Sequence, residues 1–356
     1  KYKRITIRTK GQGIELRDEV YGVEIGTKNQ YRVRTDQFIL SKIDAMNGAF
    51  GIVPKDCDNG IITGNFWAYN IDEKIMLKDY LALLCKKQVF TEYSRMASSG
   101  TTNRKYLDET KFLNLQISVP PLEEQKLVIN KISILNEKLE DIAKLRSEQR
   151  KEINNFLYSK YIDIIKGVEW KPMFKVAPII RREVSINDNE FYPELGIRSF
   201  GKGTFHKPAL SGTEVGTKSL YQIKAGDLMF SNVFAWEGAI AVAKEDDDGR
   251  YGSHRFISCV VNPDEAIAEF LCYHFLTPKG LEDINHASPG GAGRNKTLGL
   301  NKLMSILVPV PDLQAQKEFV ALKQKVDSVL AYHADTIKDL DELFPALLDK
   351  AFKGEL

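Results

Sequence analysis

Ser98, Thr101, Thr102, Asn103, Arg104 and Lys105 fall in a glycine-containing loop, SSGTTNRKY, while Arg294, Asn295 and Lys296 fall in a second loop, SPGGAGRNK. Amide and guanidinium groups form paired hydrogen bonds with flat partners such as adenine and guanine edges, and glycine lets backbone come close to a phosphate. The plain alternative is a solvated loop leading into a strand. Two further sets have the same character. Lys42, Asp44, Met46 and Asn47 stand against Asn232, Phe234, Trp236 and Glu237, and Thr63, Gly64 and Asn65 stand against Ser253, His254 and Arg255. Arg181, Arg182, Lys202, His206 and Lys207 are read as scattered surface charge rather than phosphate contacts. Phosphate contacts supply affinity without sequence information, so they must be separated from base contacts.

No comparable pattern supports catalysis or metal binding. Gly11-Gln12-Gly13 and Gly201-Lys202-Gly203 lack the third glycine of a dinucleotide fingerprint and no helical pattern follows, so a duplicated turn is favoured. Pro311-Asp312 followed by Gln316-Lys317 has no acid where a nuclease motif needs its second one, so Asp312 is read as a helix cap. The five histidines have no metal-ligand spacing, and the cysteines at 57, 85, 259 and 272 form no CxxC. They are read as buried thiols.

The paired loops exist because the chain is written twice. Tyr31-Arg32-Val33 through Leu40-Ser41 matches Tyr221-Gln222-Ile223 through Phe230-Ser231, Gly48-Ala49 matches Gly238-Ala239, and Gly11 and Gly13 match Gly201 and Gly203, all 190 positions apart. Beyond Tyr80 and Phe270 the offset is read as 191, which brings Gly100, Lys105, Gln125 and Lys126 onto Gly291, Lys296, Gln316 and Lys317. A repeat this long is a domain plus a helix, and two such domains on one chain imitate a dimer suited to a target with two half-sites. Each half reads as α+β, with β-rich stretches, helical stretches near Leu77–Tyr93 and Glu265–Leu276, and then the loop.

With 356 residues and 43% hydrophobic content the chain has enough material for two cores. A net charge of +2 neither demands nor excludes nucleic acid, because a groove needs local cations. No apolar run approaches the ~18 residues of a membrane span and KYKRITIRTK lacks a signal-peptide core, so a cytoplasmic location without membrane contact is expected. VEWKPMFKVAPIIRREVSINDN precedes the second repeat with no counterpart before Lys1, which leads us to expect a further segment of on the order of 20 residues completing the first domain's sheet.

Proline-bounded turns, VPPLEEQK and VPVPDLQAQK, start two long heptad-patterned helices, with Pro120 and Pro121 expected in the first turn of the first. One seam of the first reads Val128, Leu135, Ile142, Gln149, Phe156 and another Ile132, Leu139, Arg146, Ile153; in the second they read Phe319, Val326, His333, Leu340, Leu347 and Lys323, Leu330, Ile337, Phe344. A proline- and glycine-free run of about 38 residues would span ~57 Å, long enough to separate two domains. An antiparallel pair is expected, since the chain must return from domain two alongside the helix leaving domain one. Val128 or Leu135 is then expected near Leu340 or Leu347, with Ile132, Leu139, Ile142, Val326, Leu330 and Ile337 as further helix-packing positions.

LNLQISVPPLEEQK from Leu113, KLMSILVPVPDLQAQK from Lys302, the terminus LLDKAFKGEL and ILSKIDAMNGAFGIVP from Ile39 resemble specificity subunits of type I restriction-modification systems, over essentially the whole chain. The resemblance implies two target-recognition domains separated by two long helices packed antiparallel as a coiled coil. It also implies that the chain does no chemistry, binds a bipartite double-stranded DNA sequence and holds two copies of an adenine methyltransferase subunit. A restriction and translocation subunit joins the full complex, and S-adenosylmethionine belongs to the methyltransferase. In agreement, neither half contains an (Asp/Asn/Ser)-Pro-Pro-(Tyr/Phe/Trp) motif; Ser118-Val119-Pro120-Pro121-Leu122 is a helix start.

The expected division is 1–110 recognition domain one, 111–167 first long helix, 168–300 linker and recognition domain two, and 301–356 second long helix. The reading is a DNA sequence-specificity subunit for an asymmetric target. Its rival is a two-domain coiled-coil scaffold that pairs proteins and never touches DNA.

Overall fold

A computed structural model describes residues 1–101, 104–290 and 296–355, with only the backbone described at 101, 104, 337, 338 and 341. The chain forms two compact units, Lys1–Ser147 with His333–Leu356, and Glu148–Tyr332. Each unit holds one sequence repeat and a part of both long helices.

The central strand of each repeat is apolar on both faces, as a strand covered on both sides must be. Phe38–Ser41 is buried throughout, with Phe38 and Leu40 in one core and Ile39 in another. It pairs with Phe50–Ile52 and Phe66–Tyr69, in register Phe38↔Ile52 and Phe38↔Tyr69. The second repeat copies this register at Leu228↔Val242 and Leu228↔Cys259. A second sheet orders Gly13–Val20, Tyr2–Arg8, Ile61–Thr63 and Gln30–Arg32, and its counterpart orders Thr204–Ser211, Phe191–Ile197, Tyr251–Ser253 and Leu220–Gln222. The second repeat adds edge strands Ile179–Ile180 and Glu183–Val184 to these sheets, and pairs Trp170–Pro172 with Leu307–Pro309.

The expected helical stretch near Leu77–Tyr93 is two helices, Lys78–Cys85 and Gln88–Met96, while that near Glu265–Leu276 is one, Ala268–Leu276, followed by a second helix, Pro278–Ala287. Phe90 meets Phe50 edge-on at 4.9 Å between centroids, and Phe275 meets Phe230 at 5.1 Å, which ties helix to sheet. All four cysteines are free thiols, three of them buried. Among the described residues no helix is long and apolar enough to cross a membrane.

The long helices span Leu122–Ile165 and Leu313–Phe352. The first starts after Pro121, whose carbonyl accepts from Gln125 N–H, so both prolines precede the helix rather than sit in its first turn. Asp312 caps the second by accepting from the N–H groups of Gln314 and Ala315. In the first unit Ile132, with Val128 and Leu135 beside it, packs on Leu348, Ala351 and Phe344. In the second unit Leu157 and Tyr161 share a core with Phe319, with Leu322 and Val326 against it. The start of each helix thus meets the end of the other, the antiparallel order.

The seam departs from a strict heptad. Ile142 is 37% exposed and Phe156 49%, while Leu157 and Tyr161 are buried. A straight helix drifts roughly 20° per heptad, so four heptads after Val128 the inward position has moved by nearly one residue. Leu157 takes the place assigned to Phe156.

One buried glutamine per repeat fastens helix to domain. Gln125 Oε1 accepts from Leu77 N–H at 2.8 Å, and its Nε2 donates to the Ile75 and Pro120 carbonyls at 2.9 and 2.8 Å. Gln316 repeats this with Ile267 N–H at 2.9 Å and the carbonyls of Glu265 and Pro311 at 3.1 and 2.8 Å. Leu77 and Ile267 are the capping residues of the domain helices and have no side-chain cap of their own. Replacing Gln125 or Gln316 by leucine removes the partner of three backbone groups that are part-buried or buried. Each variant should therefore lose roughly 3 kcal/mol or more in denaturant unfolding of its unit; a loss under about 0.5 kcal/mol would refute the role, being within the range of an ordinary surface substitution.

In the second unit His274 is fully buried, its Nδ1 hydrogen-bonded with the Tyr161 hydroxyl at 2.6 Å and its Nε2 without a partner among the described residues. Burial pushes its pKa down to about 4. The unfolded chain therefore takes up this proton first. Stability is full above about pH 6.5 and is lost as pH falls toward 4, on the order of 3 kcal/mol in total. His274→Gln should flatten that slope in a pH series of unfolding curves.

Candidate nucleic-acid interface

The three loop sets, far apart in sequence, meet at one residue in each repeat. Lys42 N–H donates to the Asn65 carbonyl at 2.9 Å, and the Lys42 carbonyl accepts from Leu107 N–H at 2.8 Å. In the second repeat Asn232 N–H donates to the Arg255 carbonyl at 2.7 Å and its carbonyl accepts from Leu298 N–H at 2.8 Å. The frame is backbone, so the side chains are free to differ.

The base of the third loop is closed identically, by Asp108 N–H on the Ala97 carbonyl and Gly299 N–H on the Ala287 carbonyl, each 2.9 Å. Ser98 and Ser288 hydroxyls donate to the carbonyls of Ser94 and Ile284 just before it. These pairs correct the register. The offset is still 190 at Ala97/Ala287 and Ser98/Ser288 and becomes 191 by Leu107/Leu298, so the extra residue lies within the loop rather than near Tyr80 and Phe270.

The loop beginning at Lys42 is supported from behind by the duplicated glycine turn. Lys10 and Gly11 N–H groups donate to the carbonyls of Asn47 and Gly48 at 2.7 and 2.9 Å, and Phe200 and Gly201 donate to those of Glu237 and Gly238 at 2.8 and 2.9 Å. Gly11-Gln12-Gly13 is thus a structural turn. Gly48 and Gly238 both have positive φ, at +82° and +77°.

On this frame Lys42 Nζ lies 4.7 Å from the Trp67 ring centroid, and Lys296 Nζ lies 5.0 Å from that of Trp236 while donating to Asn285 Oδ1 at 2.9 Å. Each repeat therefore carries a lysine stacked on a tryptophan beside the junction, built from different positions. Asn47, Asn65, His254, Arg255 and Lys105 are exposed, and Asn232 Oδ1 is buried without a partner among the described residues. Ser98 is committed to the helix end. Ser98–Thr101 and Arg104–Leu107 form a hairpin. Thr102, Asn103, Arg294 and Asn295 lie outside the described residues, as do the side chains of Thr101 and Arg104.

The residues read as scattered surface charge have local duties. Arg182 forms a two-pronged ion pair with Asp227, at 2.6 and 2.9 Å, Arg181 stacks on Tyr221, and His206 Nε2 bonds to Asp247 at 2.9 Å. Sequence pattern does not single out Trp67, Lys10 or Arg95. The only signal for Trp67 is an aromatic two residues after Asn65.

The chain matches the family model of the type I restriction modification DNA specificity domain over residues 1–155 and again over 138–341. It is 23% identical over 337 residues to the type I restriction enzyme EcoKI specificity subunit of Escherichia coli K12, covering 85% of this chain and 70% of that protein. To the HindI specificity subunit of Haemophilus influenzae it is 29% identical over 111 residues, 30% of this chain and 24% of that one. Its fold is similar to that of a chain solved in work on complex assembly and conformational transition of the type I R-M system, at a TM-score of 0.68 and 20% identity, covering 97% and 87% of the two chains. It is also similar to the HsdS subunit from Thermoanaerobacter tengcongensis, at a TM-score of 0.58 and 18% identity, covering 99% and 89%.

The glycine supports differ in tightness. A Cβ on Gly48 would lie 2.8 Å from Gly11 N and 2.9 Å from Lys10 N, whereas one on Gly238 would come no closer than 3.4 Å to Leu276 and Phe200. Gly238→Ala should cost about 1–2 kcal/mol for its left-handed backbone alone. Gly48→Ala should cost more, because backbone must move, and thermal unfolding of the two variants orders them.

Proposed function

This chain belongs to the type I restriction-modification DNA specificity family, and we propose that it reads a two-part asymmetric DNA target, one part with each repeat. It is a specificity subunit, and DNA target recognition is its role. The two-part reading is supported by the junction at Lys42 and Asn232: one backbone frame, occurring twice, presents different side chains. Identical side chains would favour a symmetric target. Lys42, Asn47, Asn65 and Lys105 serve one half-site, to which the sequence also assigns Thr101 to Arg104; Asn232, Trp236, His254, Arg255 and Lys296 serve the other, to which the sequence also assigns Arg294 and Asn295. The chain itself performs no reaction. It positions two adenine methyltransferase subunits, which bind S-adenosylmethionine, and a restriction and translocation subunit in the full complex.

The test measures binding of variants, assembled with the methyltransferase subunit, to a panel of single-base changes across the target. Asn65→Ala should relax discrimination within one half-site and Arg255→Ala within the other, by about 1–3 kcal/mol for each two-pronged hydrogen-bond pair to a base that is removed. Identical profiles for the two variants would sink the assignment of one repeat to each half-site.

A further inference from the structure

Beside the first repeat's loop is a pocket of about 550 Å³ whose lining includes Lys10, Asn47, Lys86, Lys87, Gln88 and Arg95, with no acidic side chain among the described residues that line it. Asn47 belongs both to this pocket and to the loop beginning at Lys42. Arg95 is anchored there by Nε donating to the Met46 carbonyl at 3.1 Å, and Lys10 is exposed with a left-handed backbone, φ +59°, that turns it out beside Asn47. Two acids touch the lining: Asp349 pairs with Lys87 at 3.1 Å, and Glu92 accepts from the Gln88 amide at 3.2 Å. Lys10, Lys86 and Arg95 have no carboxylate partner among the described residues.

The second repeat has the same backbone here and different side chains, and its nearby cations are already engaged, Lys202 over the Phe200 ring at 5.9 Å and Lys296 on Asn285 Oδ1 at 2.9 Å. At the 190 offset Lys10 becomes Phe200, Lys86 becomes Leu276, Arg95 becomes Asn285 and Asn47 becomes Glu237. Phe200 keeps the left-handed backbone, φ +62°, and the N–H bond to the following loop. Leu276 fills the space, with a methyl 2.9 Å from where a Cβ on Gly201 would stand. A pocket that is cationic in one copy and plugged by leucine, with an acid beside it, in the other is not a by-product of the shared frame.

We propose that the Lys10, Lys86 and Arg95 pocket seats a phosphate of the DNA backbone flanking the first half-site, an anchor that the second repeat lacks. The proposal rests on the DNA-reading role given above. Continuity with the reading loop through Asn47 makes a backbone phosphodiester the occupant; free inorganic phosphate has the same chemistry and is separated by the test.

The assay is binding of the assembled specificity–methyltransferase complex to its target over a salt series, with a Lys10→Gln/Arg95→Gln variant and the charge-keeping Lys10→Arg/Arg95→Lys variant as the control for folding. The neutral variant should bind every sequence more weakly, with its single-base profile unchanged and its salt slope reduced by about one unit for each phosphate no longer neutralised. The charge-keeping variant should retain the slope. A neutral methylphosphonate placed along the backbone should weaken wild type at a position flanking one half-site only, and weaken the neutral variant no further there. An unchanged slope while wild type still discriminates sequences would overturn the phosphate seat alone. So would weakening of the neutral variant that inorganic phosphate reproduces in wild type and that no methylphosphonate position reproduces. Failure of wild type to discriminate any sequence would overturn the reading beneath it as well.

Discussion

The arrangement depends on one glutamine per repeat, wholly buried at the start of each long helix. A primary amide has two donors and an acceptor, and here each finds a backbone partner: a capping residue of the domain helix, the residue two before it, and the proline turn that starts the long helix. No apolar side chain could hold these groups, because a buried N–H or carbonyl without a partner costs about as much as the bond is worth. The glutamine converts two elements, a domain and a helix, into one positioned body. Its recurrence in both units fixes how each recognition domain departs from its helix.

From that joint the frame is carried forward by backbone alone. The domain helix packs on a central strand buried on both faces, the strand ends at Ser41 or Ser231, and the next residue, Lys42 or Asn232, binds two other loops through its own N–H and carbonyl. Because these bonds use no side chains, the positions that support the loops and the positions that can contact a ligand are different atoms of the same residues. The two repeats can then diverge in chemistry while keeping one geometry. The pocket beside Asn47 applies the same logic one layer further out, with lysines and an arginine in one copy and phenylalanine, leucine and asparagine in the other.

The glycine turns connect these layers. Gly11 lies so close to the Cys85 carbonyl that a Cβ would stand 2.8 Å from it, and Gly48 lies equally close to Gly11. In the first repeat three segments therefore pass one another without side chains between them, whereas in the second the Leu276 side chain stands against Gly201 and Gly238.

The sequence by itself determined the repeat, the α+β class, the two long helices and the candidate loops, because each is written in local pattern: identities at a fixed offset, heptad spacing, proline and aspartate at helix starts. It also marked Gln125 and Gln316 as a matched pair without disclosing their use, since hydrogen bonds to residues 75, 77, 265 and 267 leave no periodic trace. The meeting of Lys42, Asn65 and Leu107 was equally hidden, because it is made by backbone groups that every residue possesses. Ile142 and Phe156 were misplaced for a geometric reason: a seven-residue pattern and a helix of 3.6 residues per turn part company over several heptads, and only packing against real neighbours selects Leu157 and Tyr161. The register slip lies in the loop after Ser98 and Ser288 rather than before it because flanking hydrogen bonds, at Ala97 and Ala287 on one side and Leu107 and Leu298 on the other, bracket it in space. Local spacing is a property of the chain, whereas which distant groups share a bond or a pocket is settled only when the chain has folded.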